Sequence, residues 1–426
     1  MKRFVRAIVL CITVQLSGWS SMNADEFNYD EARVPAFELP PLLKTTDGHV
    51  VATSSDWINV RRPQILHQFE EHVFGTLPPA VSKLRTRVRS SVSDAVHGKA
   101  LRREVTVFFS EDDKGPQMDL LIYTPVAAKG PVPAFLGLNF NGNHSIETDS
   151  RLHITESWVR NSKEYGIDNN RATESSRGSE ASRWSVEKII DRGYGLITIY
   201  YGDIDPDFDD GFKNGIHQLF PGSDQRTPDS GGSISAWAWG LSRALDVLET
   251  DSRIDASHVA VFGHSRLGKT SLWAGAMDQR FAMVISNNSG CGGAALSRRK
   301  FGETVARINT SFPHWFCLNH RLYNGREEHL PVDNHMLIAL AAPRPVYVAS
   351  AEEDRWADPR GEFLSAYYAG EVYQLFGKEG LTSDTMPGVN QPVMSSVGYH
   401  IRTGAHDVTE YDWEQYLNFA DMHLRK

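Results

Sequence analysis

Between residues 258 and 270 the sequence runs His258-Val-Ala-Val-Phe-Gly263-His264-Ser265-Arg266-Leu267-Gly268-Lys269-Thr270. An apolar, strand-like run enters a glycine-flanked serine and passes straight into a helical pattern. A nucleophile elbow requires this strand–turn–helix context, because the sharp turn leaves the serine hydroxyl exposed. The first N–H groups of the following helix, and its dipole, then face any oxyanion formed there. The spacing departs from G-x-S-x-G: Leu267 stands at the second glycine's place and Gly268 falls one residue later. Serine after a strand also caps helices, so the pentapeptide alone leaves both readings open. Its place after a buried strand favours the nucleophile.

A serine nucleophile needs a base, and the base needs a carboxylate to orient it. In α/β-hydrolases these follow along the chain in the order Ser, acid, His. His406 lies in Thr403-Gly404-Ala405-His406-Asp407, a loop after the last predicted strand, where glycine gives freedom to aim the ring. His400 falls inside a strand pattern, and His335 in a helical pattern beside Met336, Leu337 and Ile338; both read as structural. The acid should follow an earlier strand. Arg344–Ser350 is succeeded by Ala351-Glu352-Glu353-Asp354-Arg355-Trp356, which nominates Asp354, with Glu353 as the alternative.

Other chemistries are poorly supported. Gly202-Asp203-Ile204-Asp205-Pro206-Asp207-Phe208-Asp209 has alternating aspartates, but Phe208 and Asn214 stand where a calcium loop needs Gly and Glu. No H-E-x-x-H, Walker loop or G-x-G-x-x-G occurs, so neither a metal nor a cofactor is expected. Cys317 reads as a small buried hydrophobe.

The elements that must position these residues are also legible. Residues 25–55 form a Pro-rich extended lead-in, and Asp56–Phe74 a helix predicted to break near Arg62-Pro63. Alternating strands are predicted at Leu84–Ser90, Glu104–Phe109 and Asp119–Tyr123. Val132–Phe140 is apolar on both faces, as a buried parallel strand would be. Asn141–Ser182 is a long polar insertion, of the kind that is either functional or disordered. Thereafter helices (Val186–Ile190, Ser233–Thr250, Leu267–Met277, His335–Ala341, Gly361–Phe376) alternate with strands (Gly195–Tyr201, His258–Phe262, Phe281–Ile285, Arg344–Ser350, Ser396–Arg402). Such alternation implies an α/β fold: a mostly parallel sheet covered on both faces, with an antiparallel N-terminal edge. Residues 56–426 are read as one catalytic domain.

Composition narrows the class. The 426 residues are 41% hydrophobic and include ten Trp, which excludes whole-chain disorder. With 44 basic and 53 acidic side chains the charge is −9, the wrong sign for a nucleic-acid binder. Lys2, Arg3 and Arg6 precede the apolar run Ala7–Leu16, the pattern of a signal peptide, with cleavage expected after Ala24. Removing residues 1–24 takes away three basic and no acidic side chains, making the balance −12. The mature chain is expected to lack a membrane span, to act as a monomer, and to be secreted or periplasmic. Only Cys291 and Cys317 would remain, enough for one optional bridge.

The segment Gly263-His264-Ser265-Arg266-Leu267-Gly268-Lys269 resembles the G-(C/H)-S-R-x-G-K signature of glucuronoyl esterases, the fifteenth carbohydrate esterase family. Gly137–His144, Tyr201–Asp207, Leu330–Met336 and Ala342–Pro345 are similar to segments of its bacterial members. The resemblance implies an esterase acting on 4-O-methyl-glucuronoyl esters that link xylan to lignin alcohols. It implies Ser265 as nucleophile, His406 as base, and Arg266 in the oxyanion hole through its N–H and guanidinium. Lys269, Glu303 and Trp356 match residues that contact the uronoyl ring. One departure concerns the acid: many members carry Glu in a Gln-Glu-Ser-Gly-like segment, and here that segment is Asn287-Asn288-Ser289-Gly290. The acid must then come from the later strand, which again indicates Asp354. The enzymatic alternative is an acetyl xylan or other short-acyl esterase; the non-enzymatic one is an inactive carbohydrate-binding homologue.

Overall fold

The computed structural model describes residues 27–78, 84–220 and 225–425; the expected signal peptide lies outside the described residues. Among the described residues no helix is long and apolar enough to cross a membrane.

Among the described residues twelve strands occur, in chain order: β1 (Arg85–Asp94), β2 (Ala100–Phe108), β3 (Gln117–Pro125), β4 (Val132–Asn139), β5 (Ile167–Asp168), β6 (Arg171–Ala172), β7 (Gly195–Tyr200), β8 (Ile254–His264), β9 (Met283–Asn287), β10 (Val346–Ala351), β11 (Val393–Met394) and β12 (Val397–Arg402). Ten of them build one sheet in the order β1-β2-β3-β7-β4-β8-β9-β10-β12-β11, and β5 and β6 pair separately. β1, β2 and β3 are antiparallel, and β3 joins β7 antiparallel. From β7 to β12 the ladder is parallel. This is an α/β-hydrolase sheet with the expected antiparallel edge.

Both faces are buried, which is why the central strands read as continuous apolar runs. Successive side chains of a strand point to opposite faces. Leu136 and Val261 enter one core with Trp237 and Trp273. Their neighbours Phe135 and Phe262 enter the other with Trp184, Trp413 and Tyr416. The helix Glu410–His423 closes that second face. It was not among the expected elements, although its signals are present: Thr409 and Asp412 form a capping box. Trp413, Tyr416, Leu417 and Ala420 are buried at helical spacing. Asp412 accepts from His400 (3.0 Å) and Arg402 (2.7 Å), pinning this helix to β12.

Two further expectations are corrected. Residues 54–74 stay helical past Pro63, because Trp57–Arg61 widens into a π turn and the proline falls in the first turn of Arg62–Phe69. Cys291 and Cys317 are both buried and free, so the optional bridge is not made.

Candidate active site

β8 delivers the elbow at the carboxyl end of the parallel sheet, and the helix Arg266–Met277 leaves it. Ser265 holds φ 57° and ψ −127°, a conformation that costs a non-glycine residue about 1–3 kcal/mol and persists only when the surroundings impose it. They do so through close approach. A Cβ on Gly263 would lie 1.8 Å from the Leu267 carbonyl oxygen. One on Gly268 would lie 2.9 Å from Ser289 Cβ and 3.1 Å from the Asn287 oxygen. The displaced glycine therefore serves helix-to-strand packing one residue later than usual. Ser265 stands at the helix N-cap position, yet its side chain makes no capping bond. The Ser265 hydroxyl is therefore not spent on capping the helix. The Gly268 and Lys269 N–H groups bond back to the Ser265 carbonyl, while those of Arg266 and Leu267 open the helix and have no carbonyl one turn earlier to bond.

Ser265, Arg266 and His406 line one cleft of about 320 Å³, together with Phe140 and Tyr201. The insertion supplies further walls, Arg160, Asn161, Ser162 and Tyr165. It thus sits at the site. His406 Nδ1 lies 2.5 Å from Asp354 Oδ2. Asp354 follows β10 and is buried, whereas Glu353 is exposed. Asn288 donates through Nδ2 to the same Asp354 oxygen at 3.0 Å. The ring of His264 lies 4.5 Å from that of His406. Burial first, then the charge of His406, pushes the His264 pKa well below its ordinary value, so it stays neutral beside the base.

Arg266 is held by a residue the sequence reading set aside. Its guanidinium pairs with Asp207. Asp207 is fully buried and also accepts from His314 (2.8 Å), the Trp315 indole (2.7 Å) and the Tyr201 hydroxyl (3.0 Å). Burial alone would raise this carboxyl; the Arg266 charge and then the His314 and Trp315 bonds hold it well below the carboxylate range. Trp315 lies 4.9 Å from the guanidinium carbon, with Phe140 at 5.5 Å, a cation–π cradle. The alternating aspartates that mimic a calcium loop thus include an arginine anchor. The signal available was Arg266 itself: a cation that must hold one position in a cleft needs an anion to fix it.

Lys269, Glu303 and Trp356 also come together. Lys269 Nζ donates to the Ser289 carbonyl at 2.5 Å and lies 3.8 Å from Glu303. The Glu303 N–H donates to the Trp356 carbonyl at 3.0 Å. Burial pushes the Glu303 carboxyl up; Lys269, the Trp356 side chain, Arg266 and His406 oppose the rise. None of Lys269, Glu303 and Trp356 is among the residues that line the cleft around Ser265. Glu362, buried behind it, accepts from the Ser289 and Gly290 N–H groups (2.7 and 2.9 Å) and from Ser350 (2.6 Å), fixing the loop that carries Asn288.

The family described as "Glucuronyl esterase, fungi" matches residues 189–377. The carbohydrate esterase MZ0003 of an unknown prokaryotic organism is 54% identical over 93% of this chain and 92% of its own length. A 4-O-methyl-glucuronoyl methylesterase of Wolfiporia cocos is 34% identical over 80% of this chain and 72% of its own. Among solved structures, a glucuronoyl esterase from Solibacter usitatus is 51% identical with a TM-score of 0.88, covering 92% of this chain and 99% of that one. A promiscuous CE15 esterase from a marine bacterial metagenome is 53% identical with the same TM-score, covering 93% and 100%.

Proposed function

The chain belongs to the fifteenth carbohydrate esterase family, the glucuronoyl esterases, and from that membership we propose that it hydrolyses 4-O-methyl-glucuronoyl esters joining xylan to lignin alcohols. It is a carboxylic ester hydrolase. The observation that carries the mechanism is His406, bonded through Nδ1 to Asp354 and sharing a cleft with the strained Ser265. Ser265 Oγ attacks the uronoyl carbonyl while His406 Nε2 takes its proton. Asp354 holds the tautomer and stabilises the imidazolium. The Arg266 N–H and guanidinium stabilise the oxyanion. Collapse expels the alcohol, which leaves with the proton from His406. Water, deprotonated by His406, then attacks the acyl-enzyme and releases the uronic acid and Ser265. Lys269, Glu303 and Trp356 receive the uronoyl ring, which acetate lacks. The basic-then-apolar N-terminus supports export before action.

Steady-state kinetics on benzyl glucuronate and on acetylated xylan test the substrate. A higher kcat/KM on the glucuronate is expected; the reverse order would assign the chain to short-acyl esters. Asp207→Asn tests the arginine anchor. It leaves the half-buried Arg266 guanidinium without its counter-charge and free to shift, so kcat should fall about 10- to 100-fold, part of the loss that deleting an oxyanion donor brings. Wild-type kcat in this variant would remove Asp207 from the account.

A further inference from the structure

The lead-in segment does more than run along the surface. Phe27 sets its ring edge-on to Trp356, with centroids 4.7 Å apart and planes at 82°. The Arg307 guanidinium carbon lies 5.5 Å from the Phe27 ring centroid. The Asn28 carbonyl accepts the Gly302 N–H at 2.9 Å, and the Tyr29 ring meets Phe301 edge-on at 6.1 Å. Glu31 pairs with Arg299 at 2.7 Å; Arg299 is buried and also pairs with Asp358 at 2.8 Å. Residues 27–31 therefore tie together two loops that are far apart in sequence: one carries Glu303, the other Trp356. A backbone bond from the Glu303 N–H to the Trp356 carbonyl, 3.0 Å, joins the same two loops directly.

We propose that this N-terminal strap is a specificity-determining element, with Phe27 as a positioning residue that fixes the Trp356 ring against the acyl part of the substrate. The proposal rests on the reading that Trp356 and Glu303 receive the uronoyl ring. An indole that stacks on a sugar gains affinity only if its plane is held before the sugar arrives, because ordering it on binding costs side-chain entropy. Phe27 supplies that restraint through its edge-on contact with the Trp356 ring. Among the described residues, the contacts of 27–31 go to Trp356, Arg307, Gly302, Phe301, Arg299 and their neighbours and not to Ser265, His406 or Asp354, so the triad should be indifferent to the strap. A small acyl group such as acetate has no ring to stack and should be indifferent as well. The strap thus separates recognition of the acyl part from the chemistry at the carbonyl.

The test measures kcat and KM on benzyl glucuronate and on 4-nitrophenyl acetate for full-length wild type, Phe27→Ala, Phe27→Tyr, Trp356→Ala and the double variant Phe27→Ala/Trp356→Ala. Phe27→Ala should raise KM for the glucuronate about 3- to 10-fold, the scale of one aromatic pair. Its kcat on both substrates, and its KM for the acetate, should stay within about twofold. Phe27→Tyr keeps the ring and should match wild type. The double variant should be no worse than Trp356→Ala alone, since Phe27 acts through that ring. Glu31→Gln, which cuts the tie to Arg299 without touching Phe27, should raise the same KM by less. Equal losses on both substrates, or an additive double variant, would make the strap a merely structural element and overturn the proposal. If Trp356→Ala raises the glucuronate KM while Phe27→Ala does not, the strap proposal alone fails. If Trp356→Ala leaves that KM unchanged, the uronoyl reading of the subsite fails, and the strap proposal with it.

Discussion

Ser265→Ala is expected to lower kcat on benzyl glucuronate by about 10⁴-fold or more, while the thermal midpoint moves little. The size follows from how triads work: nucleophile, base and acid act as a unit, so loss of the nucleophile forfeits nearly all that the unit contributes. The small effect on folding follows from the site. The Ser265 side chain does not cap its helix. The turn is held instead by the Ser265 N–H donating to the Asn287 carbonyl at 2.9 Å and by the Gly268 and Lys269 N–H groups donating to the Ser265 carbonyl. Alanine keeps all three bonds. Residual hydrolysis from the oxyanion donors should remain above the uncatalysed rate. Steady-state kinetics with a melting curve check both halves, and wild-type turnover would end the serine-esterase reading.

Asp354→Asn is the second large effect, expected at about 10²–10⁴-fold in kcat with KM nearly unchanged, because the loss falls on the transition state. An amide can neither stabilise the imidazolium nor hold the productive tautomer. The surroundings make a further expectation specific. Asn288 Nδ2 donates to the same Asp354 oxygen that His406 approaches. Asn288→Asp in the wild-type background would set two carboxylates against each other, and like charges at that distance force one to hold a proton. That single change should therefore lower activity modestly. In the Asp354→Asn background the same change supplies the only carboxylate at this spot and should recover part of the loss. Kinetics on the four proteins form a cycle. Full activity in Asp354→Asn would move the acid elsewhere, and Glu353, which is exposed, would have to turn inward to serve.

Much of this was legible in the sequence because it depends on local order. An apolar run ending in Gly-His-Ser-Arg-Leu-Gly specifies strand, turn and helix within a dozen residues. The acid and the histidine each follow a recognisable strand. The roles implied for Arg266, Lys269, Glu303 and Trp356 came from family resemblance and not from pattern. What escaped is long-range. Asp207 lies 59 residues before Arg266, and nothing local marks it among the neighbouring aspartates as the one that pairs with the guanidinium. The partnership of Asn288 with Asp354 spans 66 residues and depends on β9 lying beside β10. The polar insertion was visible as a loop, but its contribution of Arg160, Asn161, Ser162 and Tyr165 to the cleft needed the fold. The helix Glu410–His423 is a different case: its capping box and its 413/416/417/420 spacing were in plain view.

The central claim is that Ser265 is the nucleophile of a uronoyl-binding cleft. Active-site labelling with a fluorophosphonate, with and without competing benzyl glucuronate, tests it most directly, read by peptide mass spectrometry. One phosphonyl group per chain is expected, on Ser265, its formation slowed by the glucuronate ester in proportion to occupancy and absent in Ser265→Ala. Label on any other residue, or label on Ser265 that the glucuronate ester does not slow at saturating concentration, would contradict it.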